Sequence, residues 1–278
     1  MTTLRAAVGA PDPVTWIEAA GARLAVMRRG AGAPVICLHA IGHGARDFEA
    51  LAERVGKEFE IVAIDWPGQG RSPSDGVAVE PAHYAKLIGP AMDALGIERA
   101  IVLGNSISGA AALRFAADNP QRVRALVLCN AGGLAALTPF VRFAVLRFAA
   151  FFRTGEKGKR WFGPAFGFYY RRVLQRRPAR AQCKRIIASG YEIAGVLRQA
   201  WESFARPDSD IRALVPRIAC PVWIAWAKSD SIAAWSRARA AVGKFPNAKV
   251  QLFRGGHAAF LEDPDRFAKG FLAFARKL

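Results

Sequence analysis

Acidic residues are scarce in this chain of 278 amino acids: 22 Asp and Glu stand against 40 Lys and Arg, a formal net charge of +18 at pH 7. A deficit of that size creates a field that draws anionic substrates, nucleic acid or an acidic membrane surface, although plain solubility accounts for it more simply. No zinc-finger, RRM-like or KH-like signature accompanies the charge, so nucleic acid is not an expected partner. Cysteine is sparse too. Cys37, Cys129, Cys183 and Cys220 are far apart and lack metal-ligand spacing, so neither a disulfide framework nor a zinc site is expected. Cys37, Cys129 and Cys220 lie in or beside strand-like runs and read as small buried hydrophobes. Long apolar runs are missing. Residues 1–13 hold no continuous apolar core of signal-peptide length. The most apolar tract, Phe140 to Phe152, is interrupted by Arg142 and Arg147 and is too short to span a bilayer. A soluble, cytoplasmic protein is the expectation. No internal repeat or low-complexity tract is present.

What is abundant is core-forming material: 52% of the residues are hydrophobic, among them 18 Phe and 7 Trp. With 278 residues, that suffices for one large α/β domain carrying an insertion, or for two small domains. Val14–Ala20 and Ala22–Arg29 read as a hairpin turning near Gly21. Strands are expected at 34–38, 59–64, 100–103, 123–128, 221–226 and 249–253, with helices at 48–55, 83–95, from Ile107, and 265–277. The alternation implies right-handed crossovers and a mostly parallel open sheet with helices on both faces. From Ala135 to Val215 the rhythm breaks. This segment has helical patterns only, is rich in aromatics, and holds sixteen Arg and Lys against five acids, a net +11 of the total. It reads as a helical cap inserted after the sixth strand, with residues 1–134 and 216–278 forming the core.

The chain is organised around Arg99–Leu113. An apolar strand ends in Gly104-Asn105-Ser106, and a small-residue helix begins at Ile107. Strand, sharp turn with serine at its tip, then helix is the geometry of a nucleophile elbow, which lifts the hydroxyl above the sheet. It also leaves the Ile107 N–H free at a helix N-terminus, where it can face an oxyanion. Gly104 and Gly109 meet the need for small residues where strand and helix pass closely. The second glycine of Gly-x-Ser-x-Gly is replaced by Ser108, which is expected to crowd the turn slightly.

A serine needs a base, and the base needs an acid to hold it. Only four histidines are available. His257, in Arg254-Gly-Gly-His-Ala-Ala-Phe260 just past the last strand, is the candidate base. Two glycines before it let the backbone bend; the plainer reading is a surface-loop histidine. Asp230, after the strand ending at Trp226, is the candidate acid, at the carboxyl edge where open α/β sheets collect their sites. Its plainer reading is a turn aspartate capping a helix near Ile232. The other position for an acid, after the preceding strand, holds the uncharged Asn130. For the second oxyanion donor, the loop His39-Ala-Ile-Gly42 presents the Ala40 N–H beside that of Ile107, with His39 bracing the loop.

Taken together, His39-Ala-Ile-Gly42, Asp65-Trp-Pro-Gly-Gln-Gly-Arg-Ser72, Gly104-Asn-Ser-Ile-Ser-Gly109, Asp230, and Gly256-His257 followed by Glu262-Asp-Pro264 resemble the α/β-hydrolase fold superfamily. The resemblance is to its cap-bearing members: esterases, C–C bond hydrolases, epoxide hydrolases and haloalkane dehalogenases. It spans nearly the whole chain in the family's order. Ala40 and Ser108 depart from it, each standing where glycine is usual. The last two activities use an aspartate nucleophile in this family, and Ser106 argues against both.

The resemblance implies a serine hydrolase of the carboxylesterase type, without cofactor or metal, in which Ser106, Asp230 and His257 act through an acyl-enzyme. The aromatic-rich insertion points to a small, largely apolar substrate, and its arginines are candidates for binding a carboxylate on that substrate or an acidic membrane surface. Alternatives are C–C bond hydrolysis of a diketone-like substrate, acyl transfer, and a non-catalytic ligand receptor of the same fold.

Overall fold

The computed structural model describes residues 14–278. The stretch 1–13, read above for its lack of a signal-like core, lies outside the described residues. β1 (Thr15–Ala19) and β2 (Ala22–Arg29) form the hairpin. Ala20 and Gly21 both take positive φ, 48° and 84°, as a two-residue turn between twisted strands requires. There follow β3 (Ala33–Leu38), α1 (Glu49–Val55), β4 (Phe59–Ile64), α2 (Pro81–Ala94), β5 (Ala100–Asn105), α3 (Ile107–Asp118) and β6 (Val123–Cys129). Helices α4 (Pro139–Glu156), α5 (Phe162–Val173), α6 (Arg180–Ala188) and α7 (Ala194–Phe204) stand between β6 and β7 (Val222–Ala227). The chain closes with α8 (Trp235–Val242), β8 (Ala248–Phe253), α9 (Ala259–Glu262) and α10 (Pro264–Ala275).

The eight strands make one sheet in the order β1-β2-β4-β3-β5-β6-β7-β8. The pairs β1/β2 and β2/β4 are antiparallel and all others parallel. Side chains alternate between the two faces. Ile36, Leu38, Val102 and Leu128 join a core beneath α2, α3 and α8. Val35, Cys37, Leu103 and Val127 join the other, beneath α1 and α10, which continues through Phe152, Phe162 and Phe166 into the inserted helices. Both faces being covered, these strands read as near-continuous apolar runs. All four cysteines are free thiols.

Differences from the sequence reading are small and local. α2 begins at Pro81 rather than His83, because proline at the first helical position lacks an N–H that would be orphaned there anyway. Phe48 belongs to a 3-10 turn, Ala45–Phe48, before α1. The helix expected near Ile232 starts only at Trp235. No helix among the described residues is long and apolar enough to cross a membrane.

Candidate active site

The parallel registers bring the carboxyl ends of β3 to β8 to one edge: Leu38 lies beside Ile64 and Gly104, Asn105 beside Cys129, and Ala227 beside Phe253. Every residue singled out above follows one of these ends. Sheet topology alone therefore gathers side chains that are up to 218 positions apart in the chain, from His39 to His257.

Ser106 sits between β5 and α3 with φ 58° and ψ −120°. A non-glycine residue held there costs about 1–3 kcal/mol, and the surrounding backbone bonds hold it. Its N–H donates to Cys129 O at 3.0 Å, and its carbonyl accepts from Gly109, Ala110 and Gly132 N–H groups at 3.0, 3.2 and 2.9 Å. The close approach expected of small residues is real: a Cβ at Gly104 would lie 2.4 Å from the Ser108 carbonyl oxygen, and one at Gly109 2.6 Å from Ala131 Cβ.

Asp230 and His257 are both buried, and His257 Nδ1–H donates to Asp230 Oδ2 at 2.7 Å. The turn-capping role of Asp230 is also present, on the other oxygen: Oδ1 accepts from the Ile232 and Ala233 amides at 2.8 and 3.1 Å. Burial pushes the Asp230 carboxyl up, but attraction to His257 and these hydrogen bonds outweigh it and hold the group below its ordinary value. Asn130, noted in the sequence only as a missing acid, donates its amide to Asp230 Oδ2 at 2.6 Å and accepts from Ala227 N–H at 3.0 Å. Its sequence signal was its position at a strand end, not its chemistry.

His257 is pinned through its backbone. Its N–H donates to Val173 O at 2.8 Å and its carbonyl accepts from Asn105 Nδ2 at 3.0 Å. The preceding glycines do different things: Gly255 takes φ 114°, while Gly256 lets the loop pass so near α5 that a Cβ would lie 2.1 Å from Val173 O. Asn105 also donates to Cys129 O, which fixes its amide and leaves the buried Oδ1 without a protein partner.

The loop after β3 is braced as expected, with more partners than sequence suggested. Trp66 N–H donates to His39 Nε2 at 3.1 Å, so the proton sits on Nδ1 and donates to Ala40 O at 2.7 Å. Burial lowers the His39 pKa, partly offset by Asp65 and the Ala40 carbonyl, in keeping with this neutral ring. Asp65 Oδ1 accepts the Ala45 N–H at 2.6 Å, and Gln69 Oε1 that of Gly42 at 2.7 Å. Ser108 does not crowd the turn but ties it: its hydroxyl accepts the Trp66 indole N–H at 2.8 Å and donates to the His39 carbonyl. Neither the Ala40 nor the Ile107 N–H is engaged by any hydrogen bond among the described residues.

Ala40, Ser106 and His257 line one cavity of about 1090 Å3, counting its open mouth. No hydrogen bond joins the Ser106 and His257 side chains. The remaining wall is mainly apolar, with Leu134, Val141, Val145, Leu197, Trp201 and Phe204. None of the insertion's arginines reaches it; Arg237 of α8 is the one Lys or Arg in the lining among the described residues. A second buried polar chain borders the cavity. Asp47 Oδ2 pairs with His43 Nδ1, His43 Nε2 meets the Tyr170 hydroxyl at 2.6 Å, and Gln182 Nε2 donates to Asp47 Oδ1 at 2.5 Å. It ties α5 and α6 to the core loop; only the His43–Asp47 link is local, and nothing in residue spacing reveals the contacts with Tyr170 and Gln182.

A mostly parallel sheet with a serine elbow, an acid–histidine pair and a helical insertion at one edge defines the class. The model of the alpha/beta hydrolase fold family matches residues 33–264, and the chain belongs to that family. It is similar to a 2-hydroxy-6-oxononadienedioate/2-hydroxy-6-oxononatrienedioate hydrolase of Burkholderia vietnamiensis, 27% identical over 265 residues that cover 87% of each chain. Among solved structures it is similar to a thermophilic esterase from Thermogutta terrifontis (TM-score 0.78, 20% identity, 95% of this chain and 98% of that one). An esterase from Exiguobacterium antarcticum matches with a TM-score of 0.80 at 19% identity, over 94% and 99% of the two chains.

Proposed function

We propose that this protein is a serine hydrolase that cleaves a carboxylic ester of a small, largely apolar substrate through an acyl-enzyme. The observation that carries the reading is the buried Asp230–His257 pair facing the cavity that Ser106 also lines. In this reading Ser106 Oγ attacks the carbonyl carbon as its proton passes to His257 Nε2, and Asp230 holds the imidazolium. The negative oxygen that forms is met by the Ala40 and Ile107 N–H groups. Collapse expels the alcohol, which takes the proton from His257, and water repeats the sequence on the acyl-enzyme. Substrate binding draws Ser106 and His257 into hydrogen-bond contact, as such pairs commonly tighten only in the loaded site. The apolar wall supports an apolar acyl or alcohol portion. Residues 135–215 serve as the cap over a core formed by the described part of 1–134 and by 216–278, since Val141, Val145, Leu197 and Trp201 of the insertion form one side of the cavity.

A second reading, hydrolysis of a C–C bond in a diketone-like substrate by the same three residues, is favoured by the likeness to the Burkholderia vietnamiensis hydrolase over 87% of each chain. The deciding experiment labels the wild type and Ser106→Ala with a fluorophosphonate probe and assays both on p-nitrophenyl esters of rising acyl length. We expect label on Ser106, lost in the variant, and an ester turnover that falls by about 10⁴ or more. Ester inertness with turnover of a vinylogous diketone selects the second reading. Absence of label on folded protein overturns both and leaves a ligand receptor.

A further inference from the structure

Six of the nine large hydrophobic side chains exposed on the described molecule belong to the insertion: Phe140, Phe143, Leu146, Trp161, Phe168 and Tyr191. The first three lie on one helix, α4, spaced three residues apart on its outward side, and Phe140 and Phe143 are 68% and 63% exposed. Exposure of that degree, repeated on one face, leaves an apolar stripe without a partner among the described residues. The opposite side of the same helix is spoken for, since Val141 and Val145 line the cavity.

The stripe is embedded in positive charge. Between Thr138 and Tyr191 there are thirteen Arg and Lys and a single acid, Glu156. Glu156 is itself neutralised by Arg198 at 2.5 Å. Arg147 sits within the stripe, and it, Lys157, Lys159, Arg160 and Arg171 pair with no carboxylate among the described residues. Arg172 lies over the Phe168 ring at 3.7 Å, keeping cation and aromatic side by side at the surface. These cations do not serve the cavity, whose lining has Arg237 alone.

From this juxtaposition we propose that the outward face of α4, with the α4–α5 connection and α5, docks on a bilayer rich in anionic lipid, Phe140, Phe143 and Leu146 entering the headgroup boundary. A helix with Phe and Leu on one arc and arginines beside it lies in the interface plane, where apolar burial and attraction to anionic headgroups add. Unpaired cations spread over several elements match a continuous charged surface better than a discrete site. A second copy is disfavoured, because it would set the same net +11 against itself. The surface stands apart from the chemistry inside the cavity, so it holds or fails whatever bond is cleaved.

The test is co-sedimentation of the full chain with vesicles of phosphatidylcholine alone and of phosphatidylcholine mixed equally with phosphatidylglycerol. It is repeated with the double variant Phe140→Ser/Phe143→Ser, with Arg147→Glu, and with Val250→Ser on the edge strand β8 as a control outside the insertion. Both phenylalanines are exposed, so the double variant should keep the wild-type circular dichroism. We expect binding to the mixed vesicles only, weakened by salt, and reduced on the order of tenfold or more in the double variant and less in Arg147→Glu. The control should bind as wild type. Absence of binding to mixed vesicles at low salt overturns the proposal, as does binding indifferent to loss of both phenylalanines. It is equally overturned if the double variant abolishes self-association, or retention on duplex DNA, in protein that does not bind vesicles.

Discussion

The Ser108 hydroxyl donates to the carbonyl of His39 while accepting the Trp66 indole N–H at 2.8 Å. The His39 carbonyl and the Ala40 N–H belong to one planar peptide, so this bond orients the amide that we propose meets the oxyanion. Ser108→Ala strands two buried groups, each costing about 1–3 kcal/mol. We expect denaturant unfolding to show a loss of about 2–4 kcal/mol, with kcat for an ester falling roughly tenfold while KM changes little. An unchanged kcat in folded Ser108→Ala removes Ser108 from any positioning role.

Asp230 accepts four hydrogen bonds, two on each oxygen. In Asp230→Asn one side must present an amide NH2 to two donors. Ester turnover should drop on the order of 10⁴-fold with His257 misoriented. Because the folded-state pKa lies below the ordinary value, the stability that Asp230 contributes is present above about pH 3.9 and is lost as pH falls through the lowered folded value. Acid unfolding of Asp230→Asn, followed by circular dichroism, should show less dependence on pH in that range than the wild type.

Glu262 titrates in the opposite sense. Its fully buried carboxylate accepts the Gln175 and Arg176 amides at 2.9 Å each and the Gly256 amide at 2.8 Å, bracing the His257 loop against the end of α5. Burial raises its pKa more than these amides lower it. Its contribution to stability is therefore full below about pH 4.3 and declines as pH rises through the raised folded value. Glu262→Gln loses acceptors at every pH, and its deficit against wild type should be largest at low pH and narrow as pH rises. Urea titrations at several pH values measure this; a gap that widens with pH contradicts the assignment.

Tyr170→Phe removes the hydroxyl that meets His43 and leaves that buried ring nitrogen unpaired, at about 1–3 kcal/mol. Burial holds the Tyr170 phenol well above its ordinary pKa, so the neutral hydroxyl is what is lost. The tie it breaks runs between α5 and the core loop. We expect amide hydrogen exchange to quicken about tenfold across α5 and α6, with β5 and β6 unaffected. Uniform exchange across the chain points to global destabilisation instead.

Most of the frame was legible beforehand because it rests on local signals. Apolar runs of strand length, the glycines flanking Ser106 and the breakers at 65–72 each name their element from within a few residues. Where the reading drifted, as at Pro81 or the late start of α8 at Trp235, the deciding contacts were short-range but geometric: a proline's missing N–H and a carboxylate capping a bend.

By itself the sequence determined which residue types stand at the strand ends, and so nominated Ser106, Asp230, His257, Ala40 and Ile107. Tertiary structure alone decided how they are held. Asn130 reaches Asp230, Asn105 reaches the His257 carbonyl, Ser108 reaches His39, and His43 reaches Tyr170 across 127 positions. Such bonds leave no periodicity or spacing in the chain, because a hydrogen bond between distant side chains exists only once packing has closed the distance between them.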